Sequence, residues 1–135
     1  NAPMKIACGE WLATRFEFEE LMDVGGVQIA QPDVGRVGGL GEAKIVCDMA
    51  LERGLTIVPH CWKTGISISA TAHLAFVTNH CDFIEFMPPQ LCVETLRREL
   101  VKEELVLVDG QIPLPTKPGL GVELNEGVLE RFKVA

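Results

Sequence analysis

Clusters of positive charge are missing from this sequence of 135 residues. No basic run is longer than Arg97–Arg98, and 19 acidic residues outnumber 12 basic ones, which gives a net charge of -7. Nucleic acids and anionic lipids are recognised through concentrated positive charge, so neither is an expected partner. Apolar stretches of the roughly 18 residues that span a membrane are also missing. The opening NAPMKIACGE lacks the layout of a signal peptide, and we expect a cytoplasmic protein.

The cysteines lack the spacing that is typical of disulfide frameworks and zinc sites. They are odd in number and form no C-x-x-C pair: Cys8, Cys47, Cys61, Cys81 and Cys92. We therefore expect reduced thiols, most of them in the core. With 47% hydrophobic residues, the chain can bury such a core as one globular unit.

Short apolar runs alternate with longer segments of helical periodicity. The strand-like runs are KIAC, VQIAQPD, TIVPHC and DFIEFM, separated by the helical segments FEFEELMDVGG, GLGEAKIVCDMALERG and ISISATAHLAFVTNH. This alternation predicts right-handed βαβ units and a parallel sheet in an α/β fold. After Pro88–Pro89 come a short helix, VETLRREL, a turn at Asp109–Gly110 and a Pro/Gly-rich tail. We predict about four βα units in residues 1–93. Residues 94–135 then hold the last helix and an extended tail.

Each of the four strand-like runs ends in, or next to, an ionisable residue. These residues are Glu10, Asp33, His60 and Glu85, spaced about 25 residues apart. A complete barrel of eight units and about 250 residues uses roughly 31 residues per unit, so the spacing fits compact barrel units. Because ligands bind at the carboxyl ends of parallel strands, the four side chains are predicted to meet at one edge.

Each of these residues alone also has a structural explanation. Glu10 fits a turn, Asp33 fits a helix N-cap, and a histidine at a strand end can be satisfied by a backbone carbonyl. Four such residues in series indicate a site. Trp62 and Lys63, directly after His60, are candidates for substrate contacts and equally for surface or lid residues. Cys61 is not a candidate nucleophile, because neighbouring residues of a strand point to opposite faces.

Five stretches together resemble the C-terminal half of an enolase-superfamily protein. They are GE at 9–10, QPDVGRVGGLGEA at 31–43, VPHCW at 58–62, IEF at 84–86 and PGLGVEL at 118–124. The nearest subgroup is that of mandelate racemase and muconate lactonizing enzyme, which includes the acid-sugar dehydratases. The resemblance implies strands five to eight of a (β/α)8 TIM-type barrel, followed by a tail that packs on a capping domain.

The resemblance also implies a role for each strand-end residue. Glu10 is expected to be one carboxylate ligand of Mg²⁺. Asp33 is expected to hydrogen-bond His60 and fix its tautomer, and His60 to act as general base or acid. Glu85 is expected to meet the substrate carboxylate and, when protonated, to donate a hydrogen bond to the enediolate. Metal, base and acid together make a proton next to a carboxylate removable.

The implied reaction is α-proton abstraction from a carboxylate substrate, leading to dehydration of a sugar acid to a 2-keto-3-deoxy acid. A racemase or epimerase of the same superfamily is the alternative. The capping domain, four barrel strands, a Lys-x-Lys pair and two further metal ligands of the family are absent from these residues, so the Mg²⁺ site is incomplete. We expect the isolated chain to be inactive and to pair with a missing N-terminal half or a second copy of itself.

Two interpretations without this catalysis also fit the pattern. A non-catalytic doubly wound module could bind an anion with the glycine-rich GRVGGLGEA, residues 35–43, and use the carboxylates only to line a cleft. A non-catalytic subunit could keep the barrel fold without the reaction. The first predicts affinity for phosphate or nucleotide and no effect of changing Glu85.

Overall fold

The computed structural model describes residues 3–134, apart from the side chain of Pro89. Its strands are β1 (Ala7–Cys8), β2 (Ile29–Ala30), β3 (Thr56–Ile57), β4 (His60–Cys61) and β5 (Glu85–Phe86). Its α-helices are α1 (Arg15–Asp23), α2 (Leu40–Glu52), α3 (Gly65–Phe76), α4 (Thr95–Glu99) and α5 (Glu126–Arg131). A 3-10 turn lies at Pro89–Leu91. In the described part of the chain, no helix is long and apolar enough to cross a membrane.

The strands form the parallel arrangement that the alternating pattern predicts. β1 pairs with β2, β2 with β3, and β4 with β5, all in parallel. β3 and β4 belong to one run that contacts both neighbours: His60 N donates to Pro32 O at 3.2 Å, and Glu85 N donates to Pro59 O at 3.0 Å. Four strand runs therefore lie side by side in chain order, as in part of a (β/α)8 barrel.

A local signal in the sequence fixes where α1 begins, and the first three helices share a core. Thr14 and Glu17 form a capping box, in which each side chain accepts a hydrogen bond from the other residue's backbone N–H. α1 packs on α2, and α2 on α3. Large side chains buried in the molecule include Phe18, Val46, Ile57 and Leu74. Burying a side chain of this size contributes about 1.5–3 kcal/mol, so this core anchors the strands from the helical side.

The region after residue 93 packs on the βα units. Val101 forms an antiparallel bridge with Leu124, and a Cβ on Gly65 would lie 2.5 Å from Cγ2 of Val101. The predicted turn at Asp109–Gly110 is confirmed, with positive φ at both residues. The sequence pattern did not predict α5. The division between residues 93 and 94 stays a prediction.

The expectation for the thiols is partly wrong. All five cysteines are free, but only Cys47 and Cys61 are buried. Cys81 and Cys92 are half-buried, and Cys8 is exposed because β1 has both of its residues open to solvent. The first strand is thus left uncovered by the rest of residues 3–134.

Candidate active site

Three strand-end side chains converge at one edge of the sheet. Nε2 of His60 lies 3.5 Å from Oε2 of Glu10. These two groups and the Glu85 carboxylate each offer one ligand atom, and the atoms lie within 4.8 Å of one another. The parallel register of β4 and β5 sets His60 beside Glu85. The first, third and fourth strand runs thus contribute to one cluster that could hold a metal ion.

Glu10 reaches this edge because Gly9 turns the chain after β1. Gly9 has a φ of 123°, a conformation that side chains disfavour. A Cβ at this position would also lie 2.6 Å from Cε1 of the buried Phe18. Gly9 O accepts a hydrogen bond from Leu12 N at 3.0 Å, which closes the turn. The glycine before this acid is therefore required by the local geometry.

The imidazole of His60 is buried and held by a carboxylate. Its Nδ1 lies 3.0 Å from Oδ2 of Asp33, and the two residues are 7% and 1% exposed. An ionised carboxylate only accepts hydrogen bonds, so Nδ1 is the nitrogen that donates. In the neutral ring this leaves the lone pair on Nε2, the atom directed at Glu10. The arrangement suits a general base or acid.

Asp33 is the most connected side chain of the site. Its Oδ1 accepts hydrogen bonds from Lys63 Nζ at 2.7 Å and from Gly35 N at 2.8 Å, while Arg36 Nε lies 3.9 Å from Oδ2. Burial acts to raise the pKa of Asp33, but the hydrogen bonds from Lys63 and His60 outweigh it and lower the pKa below its ordinary value. Asp33 is consequently ionised at neutral pH.

Glu85 has a partner that the sequence analysis missed. Gln31 is buried, and its Nε2 donates a hydrogen bond to Oε2 of Glu85. The sequence QPD could have indicated Gln31 as a site residue. Gln31 and Asp33 are two residues apart in an extended run, so their side chains share a face. Gln31 therefore orients Glu85 from two strand runs away, across the run that carries His60.

Two tryptophans and two cations border the cluster. The Trp62 ring is stacked on the His60 ring, with centroids 5.8 Å apart and an angle of 28° between the planes. The Arg36 guanidinium lies 3.8 Å from the centroid of the exposed Trp11 ring. Lys63 points its ammonium at Asp33, a pairing that the sequence did not predict. Substrate contact by Trp62 and Lys63 stays a prediction.

Cys61 is unsuited to nucleophilic chemistry, as expected. It is 1% exposed, and burial raises the pKa of its thiol to about 11. At neutral pH the thiol is protonated, whereas the thiolate is the nucleophile. Cys61 and the adjacent His60 therefore do not form a nucleophile–base pair.

The family model for the enolase C-terminal domain-like family matches residues 1–128. The chain belongs to this family. Its membership supports the partial-barrel fold and excludes the doubly wound alternative, in which strand order reverses at the ligand-binding crevice. The non-catalytic anion-binding module that depended on that fold is therefore not retained.

Several proteins with named activities resemble this enolase C-terminal domain-like chain. A D-galactonate dehydratase of Xanthomonas campestris pv. campestris is 34% identical over 129 residues, which cover 93% of this chain and 34% of the dehydratase. The 3,6-anhydro-D-galactonate cycloisomerase from Zobellia galactanivorans is 33% identical with a TM-score of 0.86, covering 98% of this chain and 36% of that structure.

A further solved structure carries bound ligands. It is an enolase from Agrobacterium radiobacter with bound Na and L-malate, 25% identical, with a TM-score of 0.85 over 94% of this chain and 35% of that one. The chain thus spans about a third of the length of the proteins it matches.

Proposed function

We propose that this chain is the C-terminal barrel portion of a Mg²⁺-dependent enzyme that removes the α-proton of a sugar acid and dehydrates it to a 2-keto-3-deoxy acid. The observation that carries the proposal is the buried His60 ring, held at Nδ1 by Asp33, with Nε2 3.5 Å from Glu10 and with Glu85 in the same cluster. The named activities of the dehydratase and cycloisomerase relatives support the same chemistry.

The donor set fits a Mg²⁺ ion that is only partly bound by this chain. Mg²⁺ is commonly held by one or two carboxylates, with water and substrate oxygens completing its shell. The carboxylate of Glu10, 39% exposed, offers one such ligand. Imidazole suits zinc, copper, iron and nickel better than magnesium, which leaves His60 free to move protons. When bound, the ion would offset the charge that develops on the substrate carboxylate.

His60 Nε2 is the proposed base. It takes the α-proton, and the resulting imidazolium is stabilised by the ionised Asp33, which also keeps the ring in the productive orientation. Lys63 offsets the charge of Asp33 on its other oxygen. The same imidazolium can then deliver its proton to the departing β-hydroxyl group, so that water leaves as the 2,3 double bond forms.

Glu85 and Trp62 complete the proposed binding surface. Gln31 fixes Glu85 beside His60, where a protonated Glu85 would donate a hydrogen bond to the enediolate oxygen. Trp62 covers one face of the imidazole and restricts water access to it. These contacts explain why a polar cluster follows strands that are otherwise apolar.

We favour dehydration over racemisation because relatives with named activities include a D-galactonate dehydratase. A single base can remove the α-proton and protonate the leaving hydroxyl group, whereas inversion of a carbon centre requires an acid on the opposite face of the substrate. Among residues 3–134 the cluster contains one histidine, which dehydration can use in both roles.

The test is α-proton exchange in D₂O, followed by proton NMR with Mg²⁺ and a panel of sugar acids. The enzyme is the assembled one, in which this chain is joined to its remaining barrel portion. We expect exchange in the native enzyme and its loss in the His60→Asn variant. His80→Asn is the matched control, because His80 is exposed and has a φ of 57°, which asparagine tolerates. Equal exchange in both variants would remove His60 as the base.

We further propose that the barrel is completed by another portion of chain or by a second copy. Among the described residues, β1 and β5 each pair on one side only, and the side chains of Met4, Ile6 and Trp11 beside β1 are exposed. Open edges and apolar surface favour association. Sedimentation of the 135-residue chain tests this, since a monodisperse and fully folded monomer contradicts it. The predicted cytoplasmic location and inactivity of the isolated chain remain proposals.

A further inference from the structure

The side chain of Lys63 lies in a slot against the loop that follows Asp33. Its Nζ is 2.7 Å from Oδ1 of Asp33, and the side chain is 30% exposed. A Cβ on Gly35 would lie 2.9 Å from Nζ and 3.6 Å from Cδ of Lys63. Gly35 has no positive φ, so a side chain at this position is disfavoured by the nearness of Lys63 and not by the backbone. The glycine therefore makes room for the lysine.

Both oxygens of the Asp33 carboxylate are held. Oδ2 lies 3.0 Å from Nδ1 of His60, while Oδ1 accepts hydrogen bonds from Lys63 Nζ and, at 2.8 Å, from Gly35 N. The last torsion of an aspartate side chain is otherwise broad, because it joins an sp³ carbon to a planar group. The carboxylate cannot turn Oδ2 away from the imidazole without breaking the bonds on Oδ1. Lys63 thus helps to fix the oxygen that contacts His60.

The ammonium of Lys63 is committed to Asp33. Asp33 is 1% exposed, and hydrogen bonds between charged groups are stronger than those between neutral groups. If Lys63 turned to a substrate, Arg36 would remain as a weaker partner, with its Nε 3.9 Å from Oδ2. A buried carboxylate that loses a charged partner costs stability. The geometry therefore favours contact of Lys63 with Asp33 over contact with a substrate.

We propose that Lys63 is a positioning residue for the base. It holds Oδ1 of Asp33 so that Oδ2 stays on Nδ1 of His60 and the ring keeps one orientation. The inference rests on the proposed function, because it concerns the residue that is proposed to take the α-proton. It assigns Lys63 to Asp33 and not to the substrate, and it assigns to Gly35 the space that the lysine needs.

The test measures α-proton exchange in D₂O by the assembled enzyme with Mg²⁺, over a range of substrate concentrations. The substrate is the sugar acid that the native enzyme exchanges fastest, beginning with D-galactonate. Gly35→Ala displaces the amine and keeps its charge, and we expect kcat to fall about tenfold, as for one lost charge-assisted hydrogen bond in the transition state. KM should stay within about twofold of the native value, because the change does not touch the substrate.

Lys63→Met should have a smaller effect of the same kind. It breaks the same hydrogen bond, but it also removes a positive charge near the ring, which favours the imidazolium. We expect kcat to fall about threefold, again with KM unchanged. Methionine ends one atom before Nζ, so a Cβ added at Gly35 then meets no amine. The double variant should therefore match Lys63→Met alone.

Gly41→Ala is the matched control. Gly41 lies in α2, and among residues 3–134 an added Cβ would have no contact within 4 Å outside that helix, so kcat and KM should stay native. An equal fall in this control overturns the inference. Losses that multiply in the double variant also overturn it, since Gly35 and Lys63 would then act separately.

The outcomes separate this inference from the proposed function. A higher KM with native kcat in Lys63→Met would make the lysine a substrate contact, and native values of both would show that Asp33 is positioned without it. Either result overturns the inference, while loss of exchange in His60→Asn still supports the proposed function. Unchanged exchange in His60→Asn removes the proposed function, and the inference with it.

Discussion

Asp33 and Glu10 are carboxylates that follow parallel strands at the same edge, yet their surroundings are opposite. Asp33 is 1% exposed and holds His60, Lys63 and Gly35 through direct hydrogen bonds. The Glu10 side chain is 39% exposed, and its Oε2 lies 3.5 Å from Nε2 of His60. The side of the site at Asp33 is therefore closed to solvent, and the side at Glu10 is open.

The contrast shows which part of the chemistry this chain contains. A buried carboxylate with several donors keeps its ionised form and a fixed position, which is what a histidine base needs. An exposed carboxylate that is not held by several donors is free to turn towards a ligand. The proposed histidine base and its orienting carboxylate are therefore both held within this chain, while the metal side of the proposed site is open to further ligands.

Asp33→Asn should produce the largest loss. The amide can present its N–H₂ to the imidazole and favour the wrong tautomer, so we expect α-proton exchange by the assembled enzyme to fall by about 10⁴-fold, as it does for the corresponding change in a serine protease triad. Exchange is measured by NMR at saturating substrate. Asp82→Asn, at an exposed residue away from the cluster, is the control. Activity close to native in Asp33→Asn would show that this connectivity is only structural.

The sequence was enough to predict the strand-end acids and the histidine as site residues. It was not enough to predict which side chains contact them. Ligands bind at the carboxyl ends of parallel strands, so the position of Glu85 near the end of an apolar run is enough to predict which edge of the sheet holds it. The pairing of Lys63 with Asp33 and of Arg36 with Trp11 depends on loop conformation. Loops have no periodic sequence pattern, and their long side chains can contact residues on other loops. Such contacts therefore cannot be predicted from the sequence alone.

The elements of the fold also fall into those that the sequence predicted and those that it did not. Periodicity predicted the βα units because each has an apolar face to bury. It did not predict α5, whose six residues include one buried residue, Val128. It also gave no indication of the pair between Arg97 and Glu104, since neither residue belongs to an apolar pattern. Contacts of this kind become visible only once the chain is folded.

Arg97→Met tests whether the region after residue 93 supports the closed side of the site. Arg97 also donates to Met87 O at 2.9 Å, two residues after Glu85. Removing it leaves the buried Glu104 unpaired, and we expect the free energy of unfolding to fall by about 3–5 kcal/mol. Chemical denaturation measures the change.

The double variant Arg97→Met, Glu104→Leu is the matched control. Because it removes both charges and keeps the volume, its stability should return to about that of the native chain, a recovery of about 3–5 kcal/mol relative to Arg97→Met alone. No recovery in the double variant would show that the lost stability comes from packing and from the Met87 contact, and not from the unpaired acid.

Glu10→Gln examines the open side. The assembled enzyme should lose Mg²⁺ affinity by more than the roughly 10- to 100-fold that follows loss of an outer-shell partner. Its unfolding midpoint should hardly change, because the carboxylate is exposed and loosely held. Calorimetric titration with Mg²⁺ measures the affinity. Unchanged Mg²⁺ affinity would assign the ion to other residues. A large drop in stability would show that the Glu10 side chain is not loosely held.

Thr14→Ala should give the smallest effect. It tests whether a loss of stability outside the site changes activity. Thr14 caps α1 through a hydrogen bond from Glu17 N to its Oγ1 at 3.3 Å, and it belongs to neither side of the site. Losing an N-cap costs about 1 kcal/mol, so the free energy of unfolding should fall by that amount. The rate of α-proton exchange should stay at the native level. A slower rate would mean that activity follows global stability. The different effects expected at Asp33 and Glu10 could then not be attributed to the surroundings of each carboxylate.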